Sequence, residues 1–479
     1  MKDEISLKTI VNGSFKTTSP KPSDQKLDSI FLYVSVLIGT LLLISVGISV
    51  IWTSPVIGKL RSNDTEINPL GRPITTIEIS IIAGVPSLTD VIGMLLMPKV
   101  SDIIGRKLHL TFTAITMVIA GVGLSFSTSI LYMTLWRCLF GFPAAYTVLS
   151  IYIAEICEDH NRGKFGCFTG LLHQIGNFLG FLIGPFLSVT FFSLAMTAPA
   201  MLFLLTCAVL PETPIYLMLR GDEDKCKASM KRLRGHKTDR EIDADVMTLK
   251  ESLKEKKKGK IADLFKKKEH RIALLLGCLC LTMKAASGVT VIFTYLAPFF
   301  DQANTSLSGD NVAIIISVVK IFVFAFTSFI VDRFGRKNLL VISSTATGIP
   351  LFAVGVYFYL QHINSPYLEY LQWLPLTGFL LMVITFGLGV GLIPHVLITE
   401  LFPSDLRAAS SSAVTSISGV AMFGVTSLFP IVSESLGNHW CVWWFSLNCF
   451  IGAILIYLFL PETKGKSFDD IQAELKSYK

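Results

Sequence analysis

The chain has 479 residues, of which 51% are hydrophobic and 16% charged. A soluble domain carries about 25% charged residues, whereas here apolar runs of about 20 residues, long enough to cross a hydrocarbon layer of about 30 Å, recur along the whole length. The formal charge of +7 reflects lysines flanking those runs, and no basic groove interleaved with aromatics points to nucleic acid.

Residues 1–29 are polar and Lys-bearing, with no apolar core before Ile30. They are expected to form a disordered N-terminus, and the first apolar stretch an uncleaved anchor. The nine cysteines show neither metal-ligand spacing nor a disulfide framework. Cys278 and Cys280 form a C-x-C inside an apolar run. No metal and no cofactor is therefore expected.

Twelve spans are predicted over 30–52, 77–97, 108–127, 130–153, 166–188, 191–210, 272–298, 312–331, 338–360, 373–398, 408–432 and 440–460. They group into two six-helix halves, 30–210 and 272–460, followed by a tail over 461–479. The polar stretch 211–271 between the halves is patterned as short amphipathic helices, with Leu217, Met230 and Leu233 on apolar faces. Its lysine-rich run from Lys254 to Lys268 reads as a solvated face drawn to anionic lipid.

All but six of the 42 Lys and Arg residues fall on one side of these spans. The exceptions are Arg137, Lys284 and Lys320 inside spans, and Lys59, Arg61 and Arg72 in the first external loop. Positive residues mark the cytoplasmic side, so both termini are expected there. The sequons at Asn63 and Asn304 fall outside, where glycosylation can reach them, while Asn12 falls on the cytoplasmic side as a chance match.

Three signatures occur twice in the same order. Asp102-Ile-Ile-Gly-Arg106-Lys returns as Asp332-Arg-Phe-Gly-Arg336-Lys, Glu155 with Arg162 returns as Glu400 with Arg407, and Pro211-Glu-Thr returns as Pro461-Glu-Thr. The offsets are 230, 245 and 250 residues, which argues for a six-plus-six duplication. Repeated halves rocking around a midplane site are a transporter architecture. Charge-assisted bonds among these acids and arginines, each worth about 1–3 kcal/mol, have the scale of a switch that holds one face shut in one state. The lysines beside them are more simply read as ends of helices on the positive side.

These motifs resemble the sugar-porter family of the major facilitator superfamily over about residues 30–475. The resemblance also includes Arg137-x-x-x-Gly141, Tyr152-Ile-Ala-Glu155-Ile, His173-Gln174, Ser287-Gly288 and Glu400-Leu-Phe-Pro403. Within the family, the stretches Gly47 to Pro55 and Thr76 to Leu88 are most similar to insect facilitated trehalose transporter-like proteins. The resemblance implies an all-α membrane protein with twelve transmembrane helices in two six-helix repeats. It further implies a monomer in the plasma membrane that carries a small solute. Three positions depart from the family's pattern: Pro98, Glu158 and Ile215 stand where Gly, Pro and Arg are usual.

The family's substrate positions depart further. Gln174 matches the Gln of the fifth span, but the seventh-span pattern Gln-Gln-x-Ser-Gly-x-Asn reads Lys284-Ala-Ala-Ser287-Gly-Val-Thr290. The eighth-span Asn is Lys320, the tenth-span Trp is His395, and the eleventh-span Asn is Ser418. His173 is a further candidate contact. Lys284 and Lys320 lie about 18 and 12 Å into their spans at about 1.5 Å per residue, where a charge costs about 2.5–3.5 kcal/mol or more. Three readings stay open: contact with an acidic sugar or other carboxylate-bearing solute, an internal ion pair with Asp90 or a deprotonated lysine, and a degenerate site.

Proton-coupled members of the family carry an acid in the first span that works with the Arg of the fourth. Arg137 is present, but Ser49 occupies the acid's place and Ile30 to Trp52 contains no acid. Uncoupled, facilitated movement is therefore expected, with Asp90 keeping a proton-linked alternative open. A non-transporting sensor on the same fold is the second reading, disfavoured by the short tail. An enzyme is disfavoured because no phosphate-binding loop, metal set or nucleophile–base pair stands out. Ser410 to Ser412 are most simply small residues for close helix packing.

Overall fold

The structure, a computed structural model, describes residues 28–158, 160–255, 261–303, 307–330, 335–403, 405–466 and 468–477. Asp332 and Asn304, and residues 256–260 of the lysine-rich run, lie outside the described residues. Every regular element among the described residues is helical.

Among the described residues, twelve helical stretches are long and apolar enough to cross a membrane. The first six are Ile30–Leu60, Thr76–Ile104, Arg106–Ser125, Ile130–Ile156, Arg162–Ile183 and Val189–Val209. The second six are Lys268–Thr294, Gly309–Thr327, Arg336–His362, Leu374–Ile398, Ala409–Leu436 and Asn438–Phe459. Helices suit these sequences because lipid offers no partner to a backbone N–H or C=O, so each must be satisfied within its own segment. Apolar side chains accordingly also cover the outer surface: Phe186, Leu205 and Phe322 are largely exposed.

The second span runs past the predicted end at residue 97 to Ile104, through Pro86 and Pro98. Membrane helices tolerate proline because neighbours re-satisfy the freed groups. It starts at a capping box, in which Thr75 and Glu78 bond each other's backbone N–H. It stops at Gly105, whose φ of 103° leaves the helical region. The sixth span is interrupted between Ala195 and Ala198, with Pro199 in the first turn of its second piece.

Packing between the first and fifth spans is close enough to touch backbone to backbone. A methyl on Gly47 would lie 2.4 Å from the His173 carbonyl oxygen, and one on Gly176 would lie 2.4 Å from that of Ile44. Small residues at such crossings replace the hydrophobic drive that lipid removes. This crossing fixes the height and rotation of His173 and Gln174. Between the halves, the second span lies along the eleventh and the fifth along the eighth.

Residues 214–255 form the short helices Pro214–Leu219, Glu223–Leu233 and Asp239–Glu255. Cys226, Met230, Ile242 and Val246 make a small core with Leu217 against it, and Leu233 joins the main core. The unit docks on the first half through Glu158, whose carboxylate lies 2.5 Å from Lys237, 3.4 Å from His236 and 3.8 Å from Arg234. In the tail, Phe468–Ser477 is a helix that buries Ile471 and Leu475.

Asp28 and Ser29 correct the expectation of disorder through residue 29. Ser29 caps the first span by accepting from the Phe31 N–H, and the Asp28 carboxylate accepts from Asn161 at 2.8 Å and Lys164 at 3.2 Å. Burial pushes this carboxyl up, but the bonds from Asn161, Lys164 and His160 outweigh it and hold the pKa down to about 2.

Candidate functional site

Besides the sixth span, four spans are interrupted among the described residues. The first bends at Trp52. The fourth breaks at Phe142 to Ala144, where Pro143 interrupts the helix and Ala144 turns left-handed at φ 47°. The seventh breaks at Ser287-Gly288, and the tenth between Leu388 and Ile393. Gly288 has φ 73°, and a Cβ there would sit 2.2 Å from the Phe445 ring, so both backbone and space require glycine. Breaks at corresponding positions of two repeats expose backbone groups at mid-span, where transporters place their sites.

Between the halves these breaks surround a cavity of about 590 Å³. Asp90, Arg137, Tyr146, His173 and Gln174 line it from the first half, and Lys284, Thr290 and His395 from the second. A smaller compartment of about 210 Å³ adjoins it, sharing His173, Gln174, Lys284 and Thr290 and adding Asn177, Phe293, Lys320 and Thr327. On the side away from the charged motifs, the halves are joined where the Ser54 hydroxyl accepts from the buried Ala297 N–H at 2.9 Å. Nearby, the Phe181 and Phe293 rings meet across the halves at 6.4 Å.

The structure brings Gln174, Lys284 and Thr290 to both adjoining compartments, Lys320 to the smaller, and His395, Asp90 and Arg137 to the larger. Lys284 Nζ donates to the Gly391 carbonyl at 2.7 Å, in the unwound turn of the tenth span, and lies 3.1 Å from His395 Nε2. Lys320 Nζ sits 3.8 Å from the centroid of the Phe293 ring. Among the described residues Asp90 ion-pairs with neither lysine. Arg137 is buried and donates to the Ser49 carbonyl at 2.8 Å, the Ser49 hydroxyl at 3.3 Å and the Thr53 hydroxyl at 3.3 Å. It also stacks 5.1 Å from the Trp52 ring.

Ser287 and Ser418 are turned to backbone. The Ser287 hydroxyl, buried, donates to the Lys284 carbonyl at 2.7 Å, and that of Ser418 donates to the Leu281 carbonyl at 2.9 Å. Asn177 escaped the sequence reading although it lies three residues after Gln174, on the same helix face. Its Nδ2 donates to Gln174 Oε1 at 2.9 Å, which leaves the Gln174 amide N–H groups for other acceptors.

The charged motifs form two matching clusters. Arg106 donates to Asp102 at 2.6 Å and Glu155 at 2.9 Å, and Glu155 also accepts from Thr213 at 2.6 Å. Glu212 accepts from the backbone N–H groups of Arg106 at 3.1 Å and Lys107 at 3.2 Å. In the second half Arg336 donates to Glu400 at 3.2 Å, Thr463 donates to Glu400, and Glu462 accepts from the N–H groups of Arg336 at 2.8 Å and Lys337 at 3.2 Å. The duplicated Pro-Glu-Thr segments therefore cap the third and ninth spans and tie them to the fourth and tenth. Arg162 and Arg407 stand exposed at the starts of the fifth and eleventh helices. Asn63 is exposed in the loop before the second span.

A family model described as sugar (and other) transporter matches residues 14–475. The facilitated trehalose transporter Tret1 of Culex quinquefasciatus is 28% identical over 442 residues, covering 90% of this chain and 83% of its own. Tret1 of Polypedilum vanderplanki is 28% identical over 434 residues, covering 90% of this chain and 85% of its own. The xylose transporter XylE of E. coli, solved in an inward-open conformation, superposes with a TM-score of 0.76 at 21% identity, over 92% of this chain and 99% of that one. At that identity the likeness speaks for the fold. With twelve membrane helices in two matching halves and a family match over nearly its whole length, the chain belongs to the sugar (and other) transporter family, on the major facilitator fold.

Proposed function

We propose that this protein is a facilitative carrier that moves a sugar-like solute across the plasma membrane by alternating access, with both termini cytoplasmic. The observation that carries the reading is the cavity lined by both halves, which are also joined by the Ser54–Ala297 contact. The clusters around Arg106 and Arg336 act as the cytoplasmic gate, together with Arg162, Arg407 and Asp332. Gln174, Lys284, Thr290, Lys320 and His395 form the solute site, with Ser287 and Ser418 holding backbone around it.

The 28%-identical relatives named above are trehalose transporters, so a disaccharide or hexose is the starting class. Two cationic side chains where the family has amides favour an acidic sugar or another carboxylate-bearing solute, because a cavity lined by one sign of charge concentrates the other. Arg137 bonds the neutral groups of Ser49 and Thr53 and, among the described residues, no carboxylate, which supports uncoupled movement. The test is uptake of a panel of labelled hexoses, trehalose and sugar acids in a heterologous membrane, comparing wild type with Lys284→Gln and Lys320→Asn. Wild-type uptake of a panel member, altered in selectivity by the substitutions, supports the reading. Correctly inserted protein that moves no panel member in any variant contradicts it.

A further inference from the structure

The two cavity lysines are not equivalent. Lys284 is engaged by its own protein, through the Gly391 carbonyl and His395. Arg137, the third cation, lines only the larger compartment and bonds Ser49 and Thr53 through its terminal nitrogens. Lys320 has only the face of Phe293 as a partner among the described residues, with no carboxylate or hydrogen-bond acceptor on its ammonium. A cation in this position gains most from a counter-charge brought by a solute, because nothing in the site already supplies one.

The smaller compartment around Lys320 holds a second unmet group. Asn177 is 2% exposed, and among the described residues its Oδ1 has no hydrogen-bond donor. A buried acceptor without a donor costs about 1–3 kcal/mol, so a hydroxyl donor brought to it from the compartment that Asn177 lines would relieve that cost. Gln174, whose Oε1 is taken by Asn177 Nδ2, offers N–H donors beside it. The compartment thus presents a cation, amide donors and one orphan acceptor between the apolar walls of Phe293 and Phe324. Asp90 and Arg137 line only the larger compartment and Lys320 only the smaller, so the cation without a protein acceptor lies at one end of the paired space and the carboxyl group at the other.

We propose that the smaller compartment seats the carboxylate end of a 2-hydroxy sugar acid, an aldonate, with Lys320 on the carboxylate and the 2-hydroxyl donating to Asn177 Oδ1. The rest of the polyol chain extends into the larger compartment, past Gln174. The proposal rests on the carrier reading above and names the substrate class of that same site. Two separate features set the specificity. Lys320 selects the charge, and Asn177 selects the hydroxyl next to it.

The test is calorimetric binding to the purified full-length chain in lipid nanodiscs, using sodium gluconate, sodium 2-deoxygluconate, glucose, sorbitol and glucose 6-phosphate. Wild type is expected to bind gluconate at least about tenfold more tightly than glucose or sorbitol, the scale of one charge-assisted bond, with 2-deoxygluconate between them. Lys320→Met abolishes the preference for acid over neutral polyol and Lys320→Arg retains it. The retained charge, together with an unchanged melting curve, separates this from misfolding. Asn177→Ala closes the gap between gluconate and 2-deoxygluconate while acids stay preferred. Glucose and gluconate binding equally, glucose 6-phosphate binding more tightly than gluconate, or a preference that survives Lys320→Met overturns the aldonate seat and leaves the carrier reading standing. Failure of every acid and polyol to bind overturns the site itself.

Discussion

Lys284 donates to the carbonyl of Gly391 at 2.7 Å, joining the seventh span to the unwound turn of the tenth. Breaks in transporter helices free backbone carbonyls that commonly hold a cation, and here the protein supplies its own. The Gly391 carbonyl faces the cavity, where water can replace the lysine, so Lys284→Met is expected to cost less than about 1 kcal/mol of stability. It should nevertheless slow transport of every accepted solute, because the tenth span loses its tether. Lys284→Gln, which keeps a donor, should be milder. Equal rates for wild type and Lys284→Met in initial-rate uptake would remove the tether from the mechanism.

The Ser54–Ala297 bond crosses the halves in a buried place. Ser54→Val leaves the Ala297 N–H without an acceptor, a loss of about 1–3 kcal/mol paid only when this side is closed. Hydrogen exchange over residues 293–302 should accelerate by about tenfold. Unchanged exchange in that segment would show that the aromatic contacts alone keep the side closed.

Arg137 is held by Ser49 and Thr53 rather than by a carboxylate. Wild-type uptake should therefore ignore an imposed pH gradient. Ser49→Asp, which sets an acid against the guanidinium, should make the rate pH-dependent. Uphill accumulation by wild type that disappears in Asp90→Asn would instead establish proton coupling through Asp90.

The gate clusters make a symmetrical prediction. Glu155→Gln and Glu400→Gln each weaken a charge-assisted bond to Arg106 or Arg336, and each should shift the balance between cavity-open and cavity-closed states by about tenfold. Single-molecule distance measurements between the two motif faces report that balance. An unaltered distribution in both variants would leave the clusters as helix caps only.

Asp28 gives a pH dependence outside the membrane. Its carboxyl is depressed to about 2, below the ordinary value of about 3.9. A depressed acid stabilises the fold fully above its unfolded pKa, and that contribution is lost as pH falls through the folded one. Proteolytic release of the N-terminal segment should rise below about pH 4 in wild type and be high and flat in Asp28→Asn. Identical profiles would dismiss the Asp28 anchor.

The sequence carried the architecture because run length and charge at helix ends are local properties. The family resemblance pointed to Gln174, Lys284, Lys320 and His395, which line two adjoining compartments. Pairing was less legible. Glu155 selects Arg106 on another helix, not Arg162 seven residues on, a choice that depends on the helix crossing. Ser287 and Ser418 satisfy carbonyls beside them, as short hydroxyls in apolar helices do, and only the rotamer reveals it. Asn177 carried a readable signal, an amide one helical turn from Gln174, but its orphan oxygen is a feature of packing.

Entrance counterflow in proteoliposomes tests the carrier claim most directly. Vesicles holding purified protein are loaded with unlabelled glucose, trehalose or gluconate and diluted into tracer of the same solute, with no ion gradient. A facilitative carrier predicts a transient tracer overshoot for at least one solute, absent from protein-free vesicles. Correctly oriented protein that gives no overshoot with any of them, or gives one only under a proton gradient, contradicts facilitated alternating access.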